Sequence, residues 1–190
     1  MKLTKTIRST APLRIAFGGG GTDLPNYSSL YGGLVLNSTI SLRVEATIEI
    51  NNENINSYFS MDSEQRISYE ISSCEFSDDI CFLLRNVHLI LIQDYPELKE
   101  IPLKITSFSQ VPYGSGLGTS STICVALIRG LLHLIGVLLK PHDLANYAYK
   151  IEREKLNILG GSQDHFAASI GGFNFIEIEK EEITANSLLI

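Results

Sequence analysis

The stretch Pro112-Tyr113-Gly114-Ser115-Gly116-Leu117-Gly118-Thr119-Ser120-Ser121 concentrates the residue types that can hold phosphate. Glycines at alternate positions, 114, 116 and 118, let the backbone turn tightly with N–H groups pointing into one concavity and no Cβ in the way. An apolar run begins directly afterwards. A helix start would therefore offer free N–H groups and the positive end of its dipole to the same concavity, and a polyphosphate is the guest that suits it. Thr119, Ser120 and Ser121 add hydroxyls that can donate to phosphate oxygens or set an oxygen on Mg²⁺. Spacing excludes two familiar alternatives. No lysine follows Gly118, as a Walker loop requires, and the third glycine of a dinucleotide fingerprint is replaced by Thr119 or Ser121. A glycine-rich turn with a Ser/Thr helix cap would use the same residues with no ligand, and the loop alone leaves both readings open.

The elements that must carry this loop can be read from periodicity. Leu13 to Phe17 reads as a strand running into Gly18–Gly21, and Leu34 to Ile40 as a second strand. Leu42, Val44, Ala46, Ile48 and Ile50 alternate with Arg43, Glu45, Thr47 and Glu49, the pattern of a half-buried antiparallel strand. Asn51 to Asn56 reads as a turn. Ile80, Leu83, Leu84, Val87 and Leu91 recur at helical spacing up to Asp94-Tyr95-Pro96, and Leu103 to Phe108 suggests another strand. An apolar helix is expected from about Ser120 to Ile135. Pro141 opens the next, with the stripe Leu144, Tyr147, Ala148 and Ile151, ended by Gly160-Gly161. A last strand spans Phe173 to Ile178. Early strands followed by helices define an α+β fold, a mixed or antiparallel sheet packed against helices.

At 190 residues the chain has room for one substantial domain, and 44% hydrophobic with 19% charged residues is ordinary globular composition. A net charge of -6 argues against nucleic acid or an anionic membrane as the main partner. The greasiest stretch, Cys124 to Leu139, is interrupted by Arg129 and His133 and is too short to span a bilayer. His133 is expected at the core or its edge. No export signal marks Met1 to Thr6. Cys74, Cys81 and Cys124 lack CxxC spacing and are expected as free thiols in a cytoplasmic protein.

The loop resembles the second motif of the GHMP kinases (galacto-, homoserine, mevalonate and phosphomevalonate kinases), P-x-x-x-G-L-G-[ST]-S. Two further segments, in family order, strengthen the resemblance. Ala11-Pro12-Leu13-Arg14-Ile15 with Gly18-Gly19-Gly20-Gly21-Thr22-Asp23-Leu24-Pro25 is similar to the N-terminal sugar-site motif. Gly160-Gly161-Ser162-Gln163-Asp164-His165-Phe166-Ala167-Ala168, followed by Gly171-Gly172-Phe173-Asn174-Phe175, is similar to the segment bearing the catalytic aspartate. The wording of these motifs, with Gly32 to Ile40, resembles the bacterial heptose kinases of capsule and surface-polysaccharide pathways.

The resemblance implies ATP and Mg²⁺ as cofactors. It implies transfer of the ATP γ-phosphoryl to the anomeric hydroxyl of D-glycero-D-manno-heptose 7-phosphate, with other sugar 1-kinases (fucokinase-like) or a non-catalytic nucleotide- and sugar-binding module as alternatives. It assigns catalysis to Asp164, which local pattern alone would make an N-cap. It assigns nucleotide binding to Pro112, Gly114, Ser115, Gly116, Leu117, Gly118, Thr119, Ser120 and Ser121, and metal binding to Ser120 and Glu152. Gly20, Gly21, Thr22 and Asp23 fall in the acceptor site, with Arg14 a candidate for the sugar's phosphate or else an outward strand residue. Glu154 lies about 200° from Glu152 on a helix, so both cannot meet one ion. His165 is not assigned. The resemblance implies that residues 1–190 correspond to the N-terminal, ATP-binding domain, alone or with the first strand of a truncated C-terminal part, the C-terminal GHMP domain being absent. Weak ATP binding, little turnover, and a homodimer or self-association through an exposed domain interface are expected of it.

Overall fold

The computed structural model describes residues 5–61, 64–70, 81–112, 114–179 and 182–188. Ile80, Cys74 and Tyr113, named above, lie outside them. The sheet is organised around one long strand. Strand β1 (Thr6–Gly18) turns through helix α1 (Pro25–Tyr31) into β2 (Gly33–Ile50), and the two run antiparallel along most of their length. The two strands expected at Leu34–Ile40 and Leu42–Ile50 are thus one. The pairing of β1 slips between Pro12 and Arg14, where Pro12 faces Arg43 but Arg14 faces Thr39, so an irregularity on the partner side replaces a break.

The other edge of β2 is shared. Its second half, Val44 to Ile50, pairs with β5 (Leu103–Ser109), and its first half, Gly33 to Ser38, with β6 (Phe173–Glu179). Beyond β5 lie β3 (Ile55–Ser60), parallel to it, and β4 (Gln65–Glu70); beyond β6 lies β7 (Glu182–Leu188). Among the described residues the sheet has seven strands, of mixed direction. β3, β4 and β7 carry no strong alternation of large apolar residues and were not expected.

Helices α2 (Phe82–Asp94), α3 (Thr119–Leu134), α4 (Pro141–Tyr149) and α5 (Gln163–Ile170) belong to one layer. Val44, Ala46 and Ile48 of β2 point into it and are buried, while Glu45, Thr47 and Glu49 face outward, Glu49 pairing with Lys104 directly opposite at 2.8 Å. α3 is buried on nearly every side, as its unbroken apolar run requires. Leu127 and Leu131 join Leu13, Ile105, Val87 and Ile151 in the main core; Val35, Phe166, Ile176 and Ile178 form a second one. His133 sits exposed on the last turn of α3, where a basic group suits the dipole. On the outer face, Ile15, Phe17 and Leu34 are exposed, and the Phe17 ring lies 5.4 Å from that of Phe173. Cys81 and Cys124 are buried, and no described helix is long and apolar enough to cross a membrane.

One helix ending differs from expectation. α4 runs on into a π-helical turn, Lys150–Lys155, and stops at Leu156, short of Gly160-Gly161. Asn157, not a glycine, adopts the left-handed conformation, with φ 52°. Single π turns concentrate at functional sites, and this one carries Glu152 and Arg153.

Candidate functional site

The end of β1, the Gly18–Asp23 turn, the loop into α3, the π turn and the start of α5 meet at one edge of the helical layer. The last three frame an open cleft of about 270 Å³ lined by Gly114, Ser115, Gly116, Gly118 and Thr119 to Ser121 from one side, and by Glu152, Arg153, Ile158, Leu159 and Asp164 from the other. Gly114, Gly116 and Gly118 all have positive φ, between 75° and 80°. Gly118 precedes α3 with no side-chain cap, so the first-turn N–H groups of α3 have no intrahelical acceptor. Pro112 and Leu117 do not line the cleft. Pro112 accepts the Ser115 N–H and closes the turn, while Leu117 packs on the core.

Asp164 occupies the first turn of α5, under Gly118. A Cβ on Gly118 would lie 2.8 Å from Asp164 Cγ and 2.9 Å from Oδ2, so only glycine permits this approach. The Arg14 guanidinium grips the other oxygen: Nε and Nη2 reach Asp164 Oδ1 at 2.6 and 2.5 Å, and Nη1 donates to the Gly116 carbonyl at 2.8 Å. Arg14 therefore ties the phosphate-type loop to the aspartate. Asp164 Oδ2 keeps no protein partner among the described residues.

Ser120 and Glu152 are brought together as the sequence suggested, with the Ser120 hydroxyl donating to Glu152 Oε1 at 2.7 Å. Glu154 is exposed on the opposite side, and the π turn does not change that phase. Glu152 is fully buried, and His165 Nε2 lies 2.6 Å from its Oε2. Burial alone would push this carboxyl up. The His165 hydrogen bond and charge, Arg153 and the Ser120 hydroxyl outweigh it and bring the pKa down to about 2, so the group is an anion.

Sequence reasoning missed His165 and Arg153. Arg153 donates to the carbonyls of Ile158, Leu159 and Gly161 and, at 2.8 Å, to the Ser121 hydroxyl, stapling the loop after the π turn to α3. The one available signal was their position beside Glu152 and Asp164.

Asp23 and Thr22 serve as clasps. Thr22 Oγ1 donates to the Gly19 carbonyl at 2.7 Å, with the Leu34 carbonyl also in reach at 3.0 Å, and accepts the Leu34 N–H. Asp23 is 4% exposed and accepts from the Gly21 N–H, the Gln163 N–H and the Gln163 side-chain amide. A Cβ on Gly161 would fall 1.9 Å from Asp23 Oδ2. Gly20 lies over Gln163, and Gly21 hands its N–H to Asp23.

A glycine loop before a buried helix, an arginine-held aspartate and a Ser–Glu pair thus meet at one cleft of an α+β domain. Residues 83–172 match the family described as GHMP kinases N terminal domain, and the fold is that of a GHMP kinase N-terminal domain. Over 187 residues it is 36% identical to the D-glycero-alpha-D-manno-heptose 7-phosphate kinase of Campylobacter jejuni, covering 98% of this chain and 55% of that protein. The crystal structure of a D-glycero-D-manno-heptose 1-phosphate kinase from Bacteriodes thetaiotaomicron superposes with a TM-score of 0.89 at 37% identity, over 98% of this chain and 60% of that one. Lactococcus lactis galactokinase complexed with galactose shares the fold, with a TM-score of 0.77 at 17% identity over 96% of this chain and 46% of that one. The chain spans about half the length of the curated relatives it matches.

Proposed function

We propose that this domain binds the nucleotide and much of the acceptor in an ATP-dependent sugar-phosphate kinase. The reaction transfers the γ-phosphoryl of ATP to the anomeric hydroxyl of D-glycero-D-manno-heptose 7-phosphate. The observation that carries this reading is Asp164, fixed by Arg14 through one oxygen and left with the other free at the mouth of the Gly114–Ser121 loop. Backbone N–H groups of that loop and the α3 start would hold the phosphates. Asp164 Oδ2 would take the proton of the attacking hydroxyl as its oxygen bonds to the γ-phosphorus. The bond from that phosphorus to the bridging oxygen breaks, and ADP leaves with the electron pair. Arg14 is spent on the aspartate, so in this reading it positions Asp164 and does not bind the sugar's phosphate.

The residues present fit Mg²⁺. Ser120 Oγ and an anionic Glu152 are hard oxygen donors on the cleft wall, of the kind Mg²⁺ combines with water and phosphate oxygens. No cluster of three acidic, histidine or cysteine ligands occurs among the described residues, so nucleotide oxygens would complete the shell. The ion supplies charge neutralisation on the phosphates.

The test is a panel of acceptors assayed with ATP and Mg²⁺. Heptose 7-phosphate should turn over faster than fucose or galactose. The reverse order would assign the site to a different sugar 1-kinase, a reading kept open by 30% identity to the bifunctional fucokinase/GDP-fucose pyrophosphorylase of Arabidopsis thaliana over 86% of this chain and 16% of that protein.

A further inference from the structure

Gln163 stands one residue before Asp164 at the start of α5, and nothing above assigns it a role. Its side chain is buried, the residue being 8% exposed, yet its Oε1 has no hydrogen-bond partner. Buried polar atoms in folded proteins are nearly always paired, so an orphan acceptor beside a reactive carboxylate calls for an explanation. The neighbouring Ser162 hydroxyl, 2% exposed, is unpaired as well.

The amide is not free to turn over. Its Nε2 lies 3.4 Å from Asp23 Oδ1, and the Gln163 backbone N–H donates to Asp23 Oδ2 at 3.0 Å. Flipping the amide would set a carbonyl oxygen against a carboxylate, so Asp23 dictates which end is the oxygen. The carboxamide lies under Gly20, where a Cβ would come within 3.9 Å of Nε2, and so it belongs to the Gly18–Asp23 turn. The Asp23 oxygens already accept from Gly21 and Gln163, so Gln163 Oε1 is the acceptor left unpaired here, and its complement is a neutral hydroxyl donor. A phosphate, which offers only acceptors and negative charge, is repelled there by Asp23.

We propose that Gln163 is a specificity-determining contact, its Oε1 accepting the proton of one ring hydroxyl of the acceptor sugar while Asp23 acts as the positioning residue for the amide. This rests on the sugar-kinase reading and adds to it which atom reads the sugar. It also places the sugar's existing phosphate away from the Asp23–Gln163 floor.

The experiment titrates the chain calorimetrically with mannose 6-phosphate, its 2-, 3- and 4-deoxy analogues, and an unhydrolysable ATP analogue with Mg²⁺. The wild type should lose roughly ten- to hundred-fold in affinity for one of the deoxy analogues. Gln163→Met should bind the complete sugar that much more weakly, be indifferent to removal of that same hydroxyl, and keep its nucleotide affinity within about twofold. A Met variant that binds the sugar as the wild type does, or that weakens equally for every analogue, overturns the contact while leaving the kinase reading intact. A wild type that binds the nucleotide and none of the sugar phosphates overturns the sugar-acceptor reading, and the contact with it. Thermal melting checks that Gln163→Met folds; if it does not, Gln163→Asn, which withdraws the acceptor by one methylene, takes its place with the same outcomes.

Discussion

Replacing Glu152 by glutamine removes a buried charge at almost constant shape. Glu152 is fully inaccessible, accepts the Ser120 hydroxyl at 2.7 Å, contacts His165 Nε2 at 2.6 Å, and has Arg153 Nη1 at 3.5 Å. The amide can still accept from Ser120, but it presents N–H groups to His165 and leaves Arg153 uncompensated. Removing one partner of a buried pair costs about 3–5 kcal/mol, and the surviving Ser120 bond sets the expectation at about 3 kcal/mol. A domain of this size loses about 2–4 °C of melting temperature per kcal/mol, so a fall of about 6–12 °C is expected. Glu154→Gln, an exposed change, should stay within about 0.5 kcal/mol of the wild type.

The functional half of this prediction is read on the same samples. Affinity for an unhydrolysable ATP analogue, titrated with and without Mg²⁺, should rise with the ion in the wild type. Glu152→Gln should need roughly tenfold or more additional Mg²⁺ for the same rise. Ser120→Ala should behave similarly, and Glu154→Gln should match the wild type. An unaltered Mg²⁺ response in a folded Glu152→Gln protein would make Glu152 a purely structural anion. A larger response to Glu154→Gln would refute the orientation argument itself.

Asp164→Asn should lower kcat by about 10²–10⁴-fold in a phosphoryl-transfer assay while nucleotide affinity stays within about twofold. Loss of both together would make Asp164 structural. Gly118→Ala should destabilise by about 1–2 kcal/mol from backbone conformation alone, because φ is +79°. It should also abolish transfer by displacing the Asp164 carboxylate, and a fully active, wild-type-stable variant would contradict the close approach. His88 is buried beside Tyr58, and burial lowers its pKa from 6.5 to about 4, so the fold holds it neutral. Below pH 6.5 the unfolded chain takes up a proton that the fold resists, so stability is complete above that pH and falls by about 3 kcal/mol as pH drops toward 4. Denaturant melts across this window should show the loss, and His88→Leu should flatten it. Light scattering at tens of micromolar should reveal self-association through the apolar face bearing Ile15, Phe17 and Leu34, and Phe17→Ser should reduce it.

What could be read in the sequence was whatever is local. The alternating half of β2, the apolar α3 and the glycine loop each announce themselves within ten or fifteen residues, because period and turn chemistry are short-range properties. Ser120 and Glu152 were legible as a pair through motif order. The partners of Arg14 and Asp23 were not. An arginine on a strand is equally suited to a phosphate, a carboxylate or solvent, and its partner here lies 150 residues away in sequence. The resemblance places Asp23 in the acceptor site, but nothing local in the sequence shows that its oxygens also accept from Gly21 and from Gln163, 140 residues away. The end of α4 was misplaced for a related reason. Gly160 signals a helix stop, but its neighbourhood is decided by the Arg153 guanidinium, 2.7 Å from where a Cβ would be.

These long-range ties have an energetic consequence. Both clasps on the start of α5 come from the N-terminal strand region, Arg14 onto Asp164 and Asp23 onto Gln163. The site therefore cannot form until β1 and the Gly18–Asp23 turn have docked on α5, contacts that span 140 and 150 residues and carry a large loop-closure cost. A ligand that requires the assembled site binds the native state and not the unfolded one. Its binding energy is then added to the stability of the whole sheet, as RT ln(1 + [L]/Kd). Arg14 and Asp23 are thus where assembly of the proposed site and folding share the same hydrogen bonds, and a substitution at either should lower both ligand affinity and stability.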